Sequence, residues 1–280
     1  MNTNKVWYVT GASKGLGLAL VKQLLAAGYR VAATSRNAAA FQEMLTADAA
    51  TFLPLSLDLS DEASVQSTIK ATVAHFGRID VVVNNAGYGL VGALEELSDA
   101  EGRANFEVNV FGTLNVIRKA LPYLRAQGTG HIFNLSSIGG YSGGFPGFGI
   151  YCATKFAVHG LTESLAAEVK PFGIHATLVM PGYFRTNFLN EGSLSTPAQA
   201  MSEYQNVREV QAAHQHEINA HQPGDPDKAA AVLIAVSEQA APPVHLFLGA
   251  DAYALAAQKI TLVQADMESL RSLATATGFN

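Results

Sequence analysis

Tyr151 and Lys155, four residues apart in the run Ile150-Tyr151-Cys152-Ala153-Thr154-Lys155, are of the types that can move a proton near neutral pH. On a helix, residues i and i+4 sit one above the other, so the ammonium lies beside the phenol oxygen and favours its ionised form. A free tyrosine titrates at about 10, too high for ready exchange at pH 7, and a neighbouring cation corrects this in the useful direction. The same spacing also suits a solvated helix face with the lysine stem packed on the ring. The rest of the chain has to decide between the two.

A second chemical signal is Thr10-Gly11-Ala12-Ser13-Lys14-Gly15-Leu16-Gly17, placed after the apolar run Val6 to Val9 and before the helix-like Leu18 to Leu25. It reads as strand, glycine turn, helix. Glycines there permit a tight turn and let a pyrophosphate approach backbone N–H groups at the positive end of a helix. The spacing Gly-x3-Gly-x-Gly departs from the commoner Gly-x-Gly-x-x-Gly dinucleotide pattern.

Taken in order, Thr-Gly-x3-Gly-x-Gly, Asn84-Asn85-Ala86-Gly87, Asn109, Ser137, Tyr151, Lys155 and Pro181-Gly182 resemble the short-chain dehydrogenase/reductase family from about Val6 to Thr186. The resemblance implies a nicotinamide nucleotide, with its pyrophosphate over Gly11, Ser13, Lys14, Gly15, Leu16 and Gly17. Its adenine would lie near Asp58 and Leu59, and its ribose over Asn85, Ala86 and Gly87. Hydride would pass between the nicotinamide and a carbonyl carbon. Tyr151 would act as acid and base, Ser137 would bond the carbonyl oxygen, and Lys155 would acidify Tyr151 and hold the ribose. Asn109 would hold a water linking Lys155 to solvent, while Pro181, Gly182 and Thr186 would flank the carboxamide. Taken by itself, Asn109 also reads as a polar residue interrupting the helix around it.

The residues after the second predicted strand bear on which nicotinamide nucleotide is held. An acid there would repel a 2'-phosphate, and Ala33-Thr34-Ser35-Arg36-Asn37 contains none. Ser35 stands where the acid is expected, Arg36 offers a guanidinium, and Lys14 approaches from the other side. The expectation is NADP(H) over NAD(H).

The elements that must position these groups alternate. Apolar runs near Val6 to Thr10, Arg30 to Ser35, Thr51 to Leu57, Val81 to Asn84, His131 to Ser136, His175 to Met180 and Val244 to Leu248 are separated by amphipathic segments. This predicts one Rossmann-type doubly wound α/β domain spanning 1–280, with a parallel sheet of about seven strands and ligands at the strands' carboxyl ends. Helices near Arg103 to Gln127 and Tyr151 to Lys170 are long enough to pair in a homodimer or homotetramer, and monomeric burial explains their apolar faces equally well.

Three further segments border the expected site. Gly139 to Gly149 holds six glycines in eleven residues with Tyr141, Phe145 and Phe148 among them, and separates Ser137 from Tyr151 by thirteen residues, one more than is usual in the family. The irregular stretch 187–223 reads as a substrate lid. Its His214, His216 and His221 lack the spacing of metal ligands and read as surface histidines, so no metal is expected. The helix in 249–280 carries Leu255, Ile260, Leu262, Leu270 and Leu273 and reads as closing the core or pocket. Tyr88, Leu90, Tyr141, Phe145, Phe148, Tyr183 and Phe188 are expected to line a pocket for a lipophilic aldehyde, ketone or secondary alcohol. Tyr151 to Phe188 also resembles hydroxysteroid and retinol dehydrogenases.

Composition agrees. A net charge of -5 with 15% charged residues disfavours nucleic acid or an anionic membrane as partner. No apolar stretch has the length or flanks of a membrane span or leader, and the single Cys152 fits a reducing cytoplasm and reads as a packing residue. A cofactor-binding sensor without turnover, and an epimerase or dehydratase sharing Tyr-x3-Lys, are the alternatives.

Overall fold

The computed structural model describes residues 4–45, 47–190 and 192–279, so Glu191 of the expected lid and the ends of the expected domain lie outside the described residues. The elements are β1 Val6–Val9, α1 Gly15–Ala26, β2 Arg30–Ser35, α2 Ala40–Met44, β3 Phe52–Ser56 and α3 Glu62–Phe76. They continue with β4 Val81–Asn84, β5 Gly89–Leu90, α4 Asp99–Phe106, α5 Gly112–Gln127, β6 Gly130–Leu135 and α6 Gly149–Val169. The chain ends with β7 Ile174–Pro181, β8 Leu194–Ser195, α7 Gln205–Ala212, α8 Pro226–Ser237, β9 His245–Leu248 and α9 Ala250–Ala274.

Seven strands form one parallel sheet in the order β3-β2-β1-β4-β6-β7-β9. The central strands are apolar throughout because both faces are covered. Along β1, Trp7 and Val9 face one core with Leu20, Leu24 and Leu233 from α1 and α8, whereas Val6 and Tyr8 face another with Ile69, Val116 and Leu165 from α3, α5 and α6. The helices start and stop where their ends are satisfied. Asp61 caps α3, Ser98 and Glu101 form a capping box on α4, and Gly77 and Gly128 close α3 and α5 in the left-handed region.

The order in which strands are added reverses between β1 and β4, with β2 and β3 on one side and β4, β6, β7 and β9 on the other, which opens a crevice at the strands' carboxyl ends, the usual ligand position in such sheets. Two features differ from expectation. The segment 187–223 is not wholly irregular: it contains β8, which pairs with β5, then α7 and a π-helical turn Ala213–Ile218. Helix α9 packs only by its first turns, through Ala252, Ala256 and Leu255. Its Ile260, which borders α6, and Leu262, Leu270 and Leu273 are exposed. Among the described residues, no helix is long and apolar enough to cross a membrane.

Candidate active site

A cavity of about 740 Å³ opens at the carboxyl ends of β1, β2, β4, β6 and β7. Its floor is the glycine turn and the end of β4, locked together by hydrogen bonds. Asn85 Nδ2 donates to the Thr10 carbonyl at 2.9 Å and the Gly11 carbonyl at 3.0 Å, while the Asn85 and Ala86 N–H groups donate to Thr10 Oγ1 at 3.1 Å. This approach leaves no room for side chains on the glycines. A Cβ on Gly11 would lie 2.7 Å from Ala86 Cα, and one on Gly17 would lie 2.5 Å from Asn85 Nδ2. Gly17, expected from the sequence beside the pyrophosphate, does not itself line the cavity; having no side chain, it lets the start of α1 approach Asn85 and the Gly11 carbonyl. Gly15, at φ +57°, is the residue that turns the chain into α1.

The fit of a nucleotide can be tested at this turn. Helix α1 begins with no side chain capping its N-terminus and no acid in its first turn, so its leading N–H groups point into the cavity without a negative neighbour. That arrangement favours an anion. Arg36 and Lys14 border the same end of the cavity, and the Lys14 ammonium is held below its ordinary range by burial and then by the Arg36 charge. Lys14 Nζ also reaches Gly192 O at 3.2 Å, tying the turn to the lid segment. Ser35 Oγ donates to Asn37 O at 2.7 Å. Asp58 accepts from Ser60 N and Oγ, which holds its carboxyl below the usual range, with Arg36 a lesser cause. Ser13, Leu16, Leu59, Gly87, Pro181, Gly182 and Thr186 line the cavity as well.

Ser137, Tyr151 and Lys155 come to the same cavity from the end of β6 and the first turns of α6. Ser136 and Ser137 both border the cavity, but Ser136 Oγ donates to the Lys155 carbonyl at 2.9 Å, and Ser137 is the hydroxyl that bonds Tyr151. Lys155 Nζ lies 5.8 Å from the Tyr151 ring centre and donates to Leu135 O at 2.9 Å. Burial pushes the ammonium from 10.5 down to about 8. The Tyr151 phenol is pushed up by burial, with Ser137 working in the opposite direction. Burial sets the direction, and the acidification by Lys155 expected from the sequence is not seen.

Asn109 does not line the cavity. It sits in a π-helical turn, Glu107–Phe111, between α4 and α5, the kind of widened turn often found at functional sites. Its Oδ1 accepts from Tyr88 N at 3.0 Å, and its Nδ2 donates to Tyr88 O at 3.0 Å and Thr154 Oγ1 at 3.1 Å. It clamps the segment after β4 to α6, one residue from where a Cβ on Gly87 would stand 3.5 Å from Lys155 Nζ.

The apolar wall is formed by Tyr88, Phe145, Phe148, Tyr183 and Phe188. Leu90 and Tyr141 are not part of it. Leu90 is buried in the β5–β8 pair, and Tyr141 turns away to meet Phe247 edge-on at 5.3 Å. Cys152, read from the sequence as a packing residue, borders the cavity; burial pushes its thiol up to about 11, so it offers no nucleophile. The lid histidines also differ among themselves. His214 is buried and lines the cavity, whereas His216 and His221 are exposed. A separate trio, His159, Glu163 and His245, ties α6 to β9 through Glu163 on the far side of α6. Sequence reasoning missed Thr10, His214 and Gln222, of which only Thr10 carried a signal, as the first residue of the glycine motif.

A doubly wound sheet with an anion-ready glycine turn and a serine, tyrosine and lysine at the strand ends defines a nucleotide-dependent oxidoreductase. The profile of short chain dehydrogenases matches residues 5–195, and the chain belongs to the short-chain dehydrogenase/reductase family of NAD(P)-dependent oxidoreductases. It is similar to the oxidoreductase BOA17 of Botryotinia fuckeliana, 36% identical over 98% of this chain and 99% of the relative. A 3-ketodihydrosphingosine reductase of Bacteroides thetaiotaomicron is 38% identical over 67% of this chain and 66% of its own. A short-chain dehydrogenase from Streptomyces avermitilis superimposes with a TM-score of 0.90, at 37% identity and covering 98% and 99% of the two chains. Solved relatives hold either nucleotide. The Burkholderia cenocepacia enzyme in complex with NADP has 26% identity and a TM-score of 0.72, covering 95% and 97% of the chains. The Brucella melitensis 3-ketoacyl-(acyl-carrier-protein) reductase with NADH has 25% and 0.73, covering 87% and 96%.

Proposed function

We propose that the protein is an NADP(H)-preferring oxidoreductase that interconverts a lipophilic ketone or aldehyde and its alcohol, with Tyr151 as the acid and base. The observation that carries this is the convergence of Ser137, Tyr151 and Lys155 on one cavity in which Phe148 and Phe188 pack beside Tyr151. A 3-ketodihydrosphingosine reductase among its relatives supports the lipophilic reading.

A bound nicotinamide nucleotide would supply or take up the hydride. The chain's own groups do the rest. Gly15 and the open start of α1 would hold the pyrophosphate, Arg36 and Lys14 the 2'-phosphate, and Asn85 to Gly87 and Lys155 the ribose, with Pro181 and Thr186 beside the carboxamide. Ser137 Oγ donates to the carbonyl oxygen and orients it, and Tyr151 gives that oxygen its proton as negative charge develops there. Lys155, adjacent and buried, favours the phenolate that remains. Phe145, Phe148 and Phe188 exclude water and offer an apolar seat.

Oxidation of NADPH with carbonyls of graded size and polarity tests this reading. Turnover of apolar ketones or aldehydes is expected, and a preference for phosphorylated or polycarboxylate substrates overturns the lipophilic assignment. The relatives' oxidoreductase character favours this reading over a sensor without turnover.

A further inference from the structure

Tyr183 follows Pro181-Gly182 at the end of β7, where its position is fixed from two sides. Its N–H donates to Asp251 Oδ2 at 2.7 Å, and a side chain on Gly182 would collide with that same carboxylate. Its ring is half-buried in the cavity wall on which Ser137 and Tyr151 also open.

The phenol oxygen lies 2.9 Å from Nε2 of His214, and the other ring nitrogen of His214 lies 2.8 Å from the carbonyl of Val210. A carbonyl can only accept, so Nδ1 carries the hydrogen. A neutral imidazole has one N–H, so Nε2 presents a lone pair and the Tyr183 hydroxyl must donate to it. The tautomer is therefore set, and the phenol hydrogen is taken up by His214 rather than offered to a ligand. What Tyr183 offers the cavity is an oxygen that accepts.

His214 is held there by more than these bonds. It is buried, tilts against Phe148 at 4.8 Å, and belongs to the π-helical turn after α7. An independent acceptor stands on the same wall. Gln222 is 2% exposed and lines the cavity, and its Oε1 has no hydrogen-bond partner among the described residues. The strand-like contact between Phe184 and Gly224 carries Gln222 alongside the Tyr183 segment. A buried acceptor without a donor is unfavourable, and a donor on a ligand would relieve it.

We infer that Tyr183, oriented by His214 and joined by Gln222, selects substrates carrying a hydroxyl or N–H group near the reacting carbonyl, and rejects those with an acceptor there. This rests on the proposed carbonyl chemistry at Tyr151. The substrate class becomes a lipophilic hydroxy- or amino-ketone, reduced to the corresponding diol or amino alcohol. Tyr183 is a binding residue and His214 a positioning residue acting through it.

The test compares three ketones on one apolar skeleton, unsubstituted, hydroxylated and methoxylated one or two carbons from the carbonyl, with NADPH. Wild type is expected to favour the hydroxyketone over the plain ketone by tenfold or more in kcat/KM, chiefly through KM, with the methoxyketone poorest. Tyr183→Phe should cut the hydroxyketone preference about tenfold. His214→Leu frees the phenol hydrogen to face the cavity and should raise the methoxyketone relative to the plain ketone, a gain that mere loss of structure cannot produce. Turnover of all three ketones without hydroxyl preference in wild type, or an unchanged preference in Tyr183→Phe together with no methoxyketone gain in His214→Leu, overturns the inference and leaves the carbonyl chemistry standing. Absence of turnover with every carbonyl overturns both.

Discussion

Asn109 holds both backbone polar groups of Tyr88, accepting from its N–H and donating to its carbonyl, each at 3.0 Å. One amide side chain thereby stands in for a missing strand neighbour just beyond β4, where the chain must leave the sheet and still present Ala86 and Gly87 to the cavity. Its third contact, to Thr154 Oγ1, ties this segment to the helix that carries Tyr151 and Lys155.

Asn109→Leu should therefore act on both stability and catalysis. It removes bonds in a site that is 1% exposed and leaves the Tyr88 N–H without a partner, a loss of about 1–3 kcal/mol. Chemical denaturation should show that loss, and kcat should fall at least tenfold as Gly87 and Lys155 lose register. Unchanged stability with unchanged kcat would show that the clamp is dispensable.

The proton donor is tested by Tyr151→Phe, which removes the hydroxyl and almost no volume. Turnover should fall by orders of magnitude while folding and NADPH binding stay near wild type. Ser137→Ala should lose less, because its hydroxyl orients the carbonyl oxygen without giving it a proton. Near-normal turnover in Tyr151→Phe would remove the basis of the catalytic assignment.

Much of this was readable in the sequence, for identifiable reasons. Strands buried on both faces appear as unbroken apolar runs, so Val6 to Val9 and Val81 to Val83 announced β1 and β4 within a residue of their ends. The glycine turn, Ser137, Tyr151 and Lys155 were legible because the strand-turn-helix context fixed where they had to lie. The rest depends on contacts between segments distant in the chain. Nothing local tells that Tyr141 turns towards Phe247, or that His214 is buried against Tyr183 while His216 two residues on is exposed. The two-residue strands β5 and β8 are too short to show a period. The leucines of α9 suggested burial by pattern, but pattern does not supply the partner surface that Leu262 and Leu270 lack.

The buried ammonium of Lys155 makes ligand-free stability depend on pH in a definite direction. Its value falls from 10.5 to about 8 on folding, so between those pH values the unfolded chain binds more protons and stability rises with pH. Below about pH 8 the full penalty remains, on the order of 3 kcal/mol before the bond to Leu135 O is counted. Lys155→Met keeps the stem and removes the charge. Thermal unfolding should show a Tm gain of roughly 4 °C at pH 7 and little gain above pH 10.5. An equal shift at both pH values would mean that packing, not charge burial, sets the difference.

The proposed preference for NADP(H) rests on two cations at one end of the cavity. Burial and the nearby charge of Arg36 hold the Lys14 ammonium below its ordinary range, so the two repel across a space that an anion would fill favourably. A ribose 2'-phosphate brings that anion, and a plain ribose does not. Ser35, at the end of β2, adds a small polar group where a carboxylate would repel phosphate, and its hydroxyl, donating to Asn37 O, keeps lone pairs free. Arg36 is exposed and can swing to grip phosphate with two N–H groups. Wild type should accordingly show a kcat/KM at least tenfold higher with NADPH than with NADH. Ser35→Asp combined with Arg36→Ala should reverse the order by repelling phosphate and bonding the ribose hydroxyls. Lys14→Ala alone should weaken NADPH more than NADH, with the lid contact to Gly192 lost as well. Steady-state kinetics with both nucleotides decide it: a wild-type preference for NADH, or a double variant that keeps its preference for NADPH, would show that these residues do not govern the choice.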